Sequence, residues 1–480
     1  MTQLSEFFYA SRGVNEPATK GRTADWLDPR ISGWELPAHP GWIQTARKKQ
    51  TMLDESRLSQ RAKWAVGQPI SYLMQEALAR PELISLAAGF VDQATLPVEP
   101  ARQAIDYLLS DPVRSRAALQ YCSTMGDPDL RGTLLTRLHA ADNTLPRNHS
   151  IDQVIVTAGS NELLYLTSIS LLDPGDIVLC AAPSYFVYLG GLANLGARSF
   201  GVTVDNEGIV PEALQEALNK CEAQGLQDRV KAIYVTTYFD NPSSITTSRA
   251  RRAEIVEIAR RWSRDHHKIY VIEDTAYREL RYFGEDIPSL LACDEDGDTV
   301  IYTSSFSNSF SPGLRVGWGV LPKELVEPIC NQKGDIDFGS PNFSQQIIAA
   351  VFELGLYEQH VEMLCKDYRK KLEAMLAAAE EHFKDLPNVT WLPATGGLYV
   401  WLRVAGVDTG SQGPLFQRAM DEGMLYVPGN YCYPQEGEPA ADDMIRLSFG
   451  VQPVDRIHRG VQALAEAVRS LAHDTTPSRT

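Results

Sequence analysis

From about residue 84 onward, short apolar runs alternate with longer amphipathic stretches. That alternation predicts strand–helix units around a largely parallel sheet, an α/β fold. Strands are predicted over residues 154–157, 176–181, 232–236, 269–272 and 300–303, with a helix over 163–172. Each strand runs into polar or aromatic residues: Gly159-Ser160-Asn161, Pro183-Ser184-Tyr185, Asn241-Pro242, Glu273-Asp274 and Ser305-Phe306-Ser307-Asn308. Ligands of open α/β sheets sit beyond the carboxyl ends of the strands, so these five ends outline a candidate crevice.

The pattern differs on either side. Residues 1–60 mix Pro, Gly, Trp and charge without periodicity and read as an arm, packing through Trp26, Trp34 and Trp42. The spacing of Ile70, Leu73, Met74 and Leu78 predicts a helix over 61–83. Beyond Phe338 come helices over 342–356 and 360–383, then mixed segments at 389–392, 397–402, 425–428 and 444–449, and a closing helix over 454–471. The division expected is an arm (1–60), a helix and link contributing to the small domain (61–90), a large domain (91–340) and a smaller α+β domain (341–480).

Composition narrows the function classes. Apolar residues at 44% and charged residues at 22% suit an ordinary globular core. A net charge of −16 argues against a protein that grips nucleic-acid backbones. The seven cysteines are scattered with no C-x-x-C pair, so neither a disulfide framework nor a metal site is expected, and a reducing compartment is. The first residues lack a basic stretch followed by an apolar core, and no apolar run approaches the ~20 residues of a membrane helix. A soluble cytoplasmic protein, with neither membrane nor nucleic acid as partner, is the expectation.

Candidate chemistry concentrates at the strand ends. In Ser305-Phe306-Ser307-Asn308-Ser309-Phe310-Ser311-Pro312-Gly313-Leu314-Arg315, hydroxyls precede an arginine in a Gly/Pro-defined turn. Arg315 can pair with a phosphate dianion while Ser305 and Ser307 fill its remaining oxygens. Gly159-Ser160-Asn161, opening a helix, offers backbone N–H groups to the same kind of anion. Taken alone, the first segment is equally a plain turn and the second a plain N-cap.

Several ordered motifs then bear on identity. Leu119-Gln120-Tyr121 with Gly126 and Leu130-Arg131, Asp173-Pro174-Gly175-Asp176 with Pro183-Ser184-Tyr185, Asn241-Pro242, Glu273-Asp274-Thr275-Ala276-Tyr277 and Arg446-Leu447-Ser448-Phe449 stand in sequence. From Ile84 to Ala467 the chain resembles class I/II aminotransferases, particularly the kynurenine/α-aminoadipate branch. The resemblance implies the fold type I architecture of pyridoxal-phosphate enzymes. A large cofactor domain carries a mostly parallel, seven-stranded sheet flanked by helices, and a smaller α+β domain follows.

It also implies roles. Ser160, Asn161, Ser305, Ser307 and Arg315 would surround the cofactor phosphate, Tyr185 would stack on the ring, and Asp274 would keep the ring nitrogen protonated. Asn241 and Tyr277 would bond the ring oxygen. Arg446 would hold the substrate α-carboxylate, with Asn241 beside it and Gly89 letting that carboxylate approach the backbone. Tyr121 would reach the phosphate of a neighbouring subunit, implying a homodimer with shared active sites. The small molecules implied are an α-amino acid and a 2-oxo acid.

One position departs from this pattern. The family has S-x-S-K where this chain has Ser305-Phe306-Ser307-Asn308, and the interval to Arg315 fits without a gap. No lysine lies between Lys268 and Lys323 to replace the Schiff-base lysine. Asparagine has no basic nitrogen, so the cofactor would be held non-covalently and transamination severely weakened, general acid–base catalysis alone contributing about 10²–10⁴-fold. Smaller departures are Ser243-Ser244 after Asn241-Pro242, where the family has T-G, and Asp240 where glutamine is common. Three readings stay open: a protein that binds cofactor without turnover, an enzyme with an atypical base, and a lysine variant of an ordinary aminotransferase. The same scaffold also supports β-elimination, decarboxylation and ring formation. A partner-binding pseudoenzyme or adaptor is a rival of another class. A DNA-binding regulator would need a basic helix-turn-helix that residues 1–60 do not show.

Overall fold

The computed structural model describes residues 57–65, 69–144 and 149–474, which belong, Arg57 apart, to one compact unit, Leu58–Thr480. The arm, with its three tryptophans, lies almost wholly outside the described residues.

Among the described residues two helices precede β1 (Ile84–Ser85), and the chain then builds a large sheet. Its strands are β2 (Val154–Thr157), β3 (Ile177–Ala182), β4 (Arg198–Asp205), β5 (Gly208–Ile209), β6 (Val230–Thr236), β7 (Tyr270–Asp274), β8 (Val300–Ser305) and β9 (Gly317–Val320). The smaller part contributes β10 (Val389–Trp391), β11 (Tyr399–Val404), β12 (Met424–Leu425), β13 (Val427–Pro428), β14 (Glu436–Gly437) and β15 (Met444–Ser448). Among the described residues the sheet has nine strands: seven follow the order β4-β3-β6-β7-β8-β9-β2, β14 extends it beyond β4, and β5 folds back on β4. Within those seven strands only β9 runs antiparallel to its neighbours.

Central parallel strands are covered on both faces and therefore read as continuous apolar runs. Every residue of β2, β3 and β7 is buried. Alternate side chains point to opposite faces. Val156, Leu179, Ile233 and Val271 share a core with Leu134, Val256 and Ile348, whereas Ile155, Val178, Tyr234 and Ile272 share one with Leu163, Leu192 and Ile329. A third core joins the antiparallel sheet β10-β11-β15-β13 to the helices Leu356–His382 and Val454–Asp474. Leu73, Ile84 and Leu86 belong to that core.

Several helices differ in their bounds from the sequence reading. The helix predicted over 61–83 comprises Gln60–Trp64 and, separately, Pro69–Ala79, whose first residue is a proline suited to a helix start. The helices predicted over 342–356 and 360–383 are Asn342–Glu353 and Leu356–His382. Gly355, at φ +66°, ends one and opens the other.

Candidate active site

Parallel register sets where the site lies. Thr236, Asp274 and Thr303 are partners across β6, β7 and β8, so the loops leaving these strands open on one edge of the sheet. A cavity of about 500 Å³ lies there, and apart from Tyr121 every candidate cofactor and substrate residue named from the sequence lines it. Five strand ends and the far carboxyl-terminal Arg446 thus meet at one place.

At one wall stand the hydroxyls and Arg315. Ser305 Oγ lies 2.9 Å from Ser307 Oγ and accepts the Ser307 N–H at 3.1 Å. Arg315 Nη1 donates to Ser307 Oγ at 3.2 Å and to the Pro312 carbonyl at 3.0 Å, while Nη2 reaches the Ala158 carbonyl at 3.3 Å. The helix Ser160–Leu171 begins here behind Gly159, whose φ is +87°. No side chain among the described residues caps its first N–H groups, and a Cβ on Gly159 would collide with Arg315 Nη2. Exposed guanidinium, two serine hydroxyls and a bare helix N-terminus converge, the donor set an oxyanion with two charges requires.

Asp274 closes β7 and is buried. Its Oδ2 accepts from the Tyr234 hydroxyl at 3.0 Å and its Oδ1 from the Ala276 N–H at 3.2 Å. Burial pushes its carboxyl up to about 6, against the lowering by these two bonds. No basic side chain among the described residues forms an ion pair with it. A carboxylate buried without a cation is costly, and this one faces the cavity.

Opposite lies Arg446 on β15, 1% exposed. Nη1 donates to Asn241 Oδ1 and Nη2 to the Ala87 carbonyl, each at 2.8 Å, while Nε has no hydrogen-bond partner among the described residues. Its guanidinium carbon stands 4.4 Å above the Tyr399 ring and 5.3 Å above that of Phe186. A Cβ on Gly89 would come within 2.6 Å of the Tyr399 hydroxyl. Asn241 Nδ2 lies 3.4 Å from the Tyr277 hydroxyl. Tyr185 sits at the end of β3 as the residue before the helix Phe186–Asn194.

Asn308 is half-buried, and its Nδ2 donates to the Ala276 carbonyl at 3.4 Å. Tyr121 stands apart, 77% exposed and edge-on to Phe338 at 5.4 Å. Three contributors are not visible in the sequence. Tyr234 reads there as strand core, as does Tyr399, and only the fold turns their hydroxyls toward Asp274 and Tyr277. Ser244 reads as a turn residue; its Oγ donates to the Tyr399 carbonyl at 2.6 Å.

Residues 81–464 match the family described as aminotransferase class I and II, and the chain belongs to that family. Among its relatives is the aromatic-amino-acid aminotransferase 1 of Thermococcus litoralis, 30% identical over 389 residues covering 81% of this chain and 88% of that protein. Kynurenine aminotransferase of Pyrococcus horikoshii, solved with PMP, kynurenine and its product, superposes with a TM-score of 0.79 at 29% identity, covering 87% of this chain and 98% of that one. The α-aminoadipate aminotransferase LysN of Thermus thermophilus, solved with N-(5'-phosphopyridoxyl)-L-leucine, superposes at 0.74 with 27% identity, covering 88% and 99%. The fold is therefore the type I fold of pyridoxal-phosphate-dependent aminotransferases.

Proposed function

We propose that this chain binds pyridoxal phosphate without a covalent tether and holds an α-amino acid or 2-oxo acid against it, with ordinary transamination severely weakened by Asn308. The observation that carries this reading is Asp274, a buried carboxylate with no cationic partner among the described residues, facing the cavity whose far wall gathers Ser305, Ser307 and Arg315. A ring that carries a protonated nitrogen at one end and a phosphate at another fits both.

Bound there, pyridoxal phosphate would supply an electron-withdrawing ring that acidifies the Cα–H of an amino acid. The chain's own residues do the rest. Ser160, Asn161, Ser305, Ser307 and Arg315 would hold the phosphate, and Tyr185 would pack against the ring. Asn241 and Tyr277 would donate to the ring oxygen, and Asp274 would keep a proton on the ring nitrogen. Arg446 would take the α-carboxylate, its Nε having no hydrogen-bond partner among the described residues. The Asn308 amide can bond a neighbour but cannot take a proton from Cα, which removes about 10²–10⁴-fold of general-base catalysis.

The remaining wall includes Phe90, Val91, Leu96, Phe186 and Val187, and Arg315 and Arg446 are the only basic side chains among the described lining residues. That favours a neutral, apolar or aromatic amino acid over one with a second carboxylate. A homodimer with shared sites is supported by exposed Leu119, Tyr121 and Phe338. The division into a cofactor domain (91–340) and a small domain (341–480) is supported by the third core, but the helix Asn342–Glu353 packs through Ile347, Ile348 and Val351 in the core of the large sheet. A reducing, cytoplasmic setting accords with seven free cysteines; no helix among the described residues is long and apolar enough to cross a membrane.

Asn308 itself favours a second reading, a catalytically inactive partner-binding protein or an enzyme of other chemistry. Asn308→Lys separates them. Under the first reading the variant gains aminotransferase turnover of at least about a hundredfold over the Asn308 protein. A lysine variant that carries the cofactor and stays inactive favours another chemistry.

A further inference from the structure

Tyr399 begins β11 and lines the cavity. It is 2% exposed. Its hydroxyl lies 3.1 Å from the Tyr277 hydroxyl and 3.5 Å from Asn241 Nδ2, and its ring face lies under the Arg446 guanidinium. Its backbone carbonyl accepts the Ser244 hydroxyl. Ser244 has φ +59°, a left-handed conformation that ordinarily favours glycine, and its side chain is spent on this bond. The turn that presents Asn241 is therefore fastened twice to one residue, at Asn241 by the Tyr399 hydroxyl and at Ser244 by the Tyr399 carbonyl.

We propose that Tyr399 is a positioning residue: its hydroxyl donates to Tyr277 and so directs the Tyr277 proton into the cavity, while its ring keeps Arg446 in line with Asn241. The proposal rests on the reading that Tyr277 and Asn241 face a cofactor ring oxygen. A phenol that donates into the cavity accepts from behind, and the groups in reach of the Tyr277 oxygen are the Tyr399 hydroxyl and the Asn241 amide. Donation from Tyr399 polarises Tyr277 and makes it a better donor to an anionic oxygen. Removing it disfavours the ionised form of whatever oxygen Tyr277 serves. The other titratable or charged groups around this pair are Tyr185 at the end of β3, Asp274 at the end of β7 and Arg446 on β15, all retained when Tyr399 becomes phenylalanine.

The test compares the natural chain with Tyr399→Phe, which keeps the ring under Arg446 and the carbonyl bond to Ser244. Pyridoxal phosphate is added to each, its dissociation constant is measured, and its absorption bands are followed with pH. The midpoint at which the bound ring oxygen ionises should rise by roughly 0.5–1 pH unit in Tyr399→Phe, the net effect of one hydrogen bond. In a Tyr277→Phe background the same substitution should leave the midpoint unchanged, because the coupling passes through Tyr277. A midpoint that stays put or falls, or a shift that persists without Tyr277, overturns the role given to Tyr399 and leaves cofactor binding intact. Absence of any bound chromophore in either protein overturns the cofactor reading and this proposal together.

Discussion

Among single residues, Asp274 governs the most. Burial raises its carboxyl from 3.8 to about 6. Asp240, whose Oδ1 is buried without a partner among the described residues, is likewise raised to about 6 by burial. Both folded values exceed the unfolded one. The stability these groups contribute is therefore full below about pH 4 and is lost as pH rises through about 6. One pH unit of displacement corresponds to about 1.4 kcal/mol, so ionised Asp274 alone costs the cofactor-free fold on the order of 3 kcal/mol. A cationic ring nitrogen offsets that cost only where Asp274 is ionised. The rise in melting temperature caused by pyridoxal phosphate should thus be larger at about pH 7.5 than at about pH 5. Equal rises at both would remove Asp274 from its assigned role. Asp274→Asn should melt no lower than the natural chain at about pH 7.5 without cofactor, yet bind pyridoxal phosphate at least about tenfold more weakly, as thermal melts and equilibrium titration would show.

At the scale of elements, the junction of β2 with the helix Ser160–Leu171 is the anion wall's foundation. Gly159→Ala meets two obstacles there, a φ of +87° and the guanidinium of Arg315. We expect about 1–3 kcal/mol of destabilisation from the strained backbone. Affinity for pyridoxal phosphate should fall at least about tenfold while affinity for pyridoxal, which lacks the phosphate, changes little. Equal losses for both ligands would mean that this wall does not hold a phosphate.

The same junction shows what the sequence could disclose. Five strands are legible because apolar runs end abruptly in polar residues, and those ends do line one cavity. β9 is not legible: Gly317 and Gly319 interrupt its pattern for a tertiary reason, since a Cβ on Gly317 would run into the backbone of Gly159. β4 mixes polar with apolar residues at the edge of the sheet's core, which hides it from a search for apolar runs. Arg446 stands out through its family resemblance alone, because a late arginine carries no spacing that marks it as buried. Tyr399 is hidden because a tyrosine in an apolar strand is ordinary core, and the partners of its hydroxyl, Asn241 and Tyr277, lie well over a hundred positions away.

For the whole molecule, the proposed homodimer would cover the exposed Leu119, Tyr121 and Phe338. Light scattering should find two chains per particle. Tyr121→Ala should leave that mass unchanged and weaken pyridoxal phosphate binding by about tenfold, the effect of one phosphate contact from the other subunit. A monomer that binds the cofactor with undiminished affinity would contradict shared sites.

Retention of the cofactor without a tether is the claim on which the functional reading depends. The direct measurement is an absorption titration of the natural chain with pyridoxal phosphate, followed by borohydride reduction and mass spectrometry of the protein. Saturable binding of one cofactor per chain, with no mass added to the protein at the site after reduction, is the predicted result. Failure to bind, or a cofactor fixed by reduction to a lysine of this cavity, would contradict it.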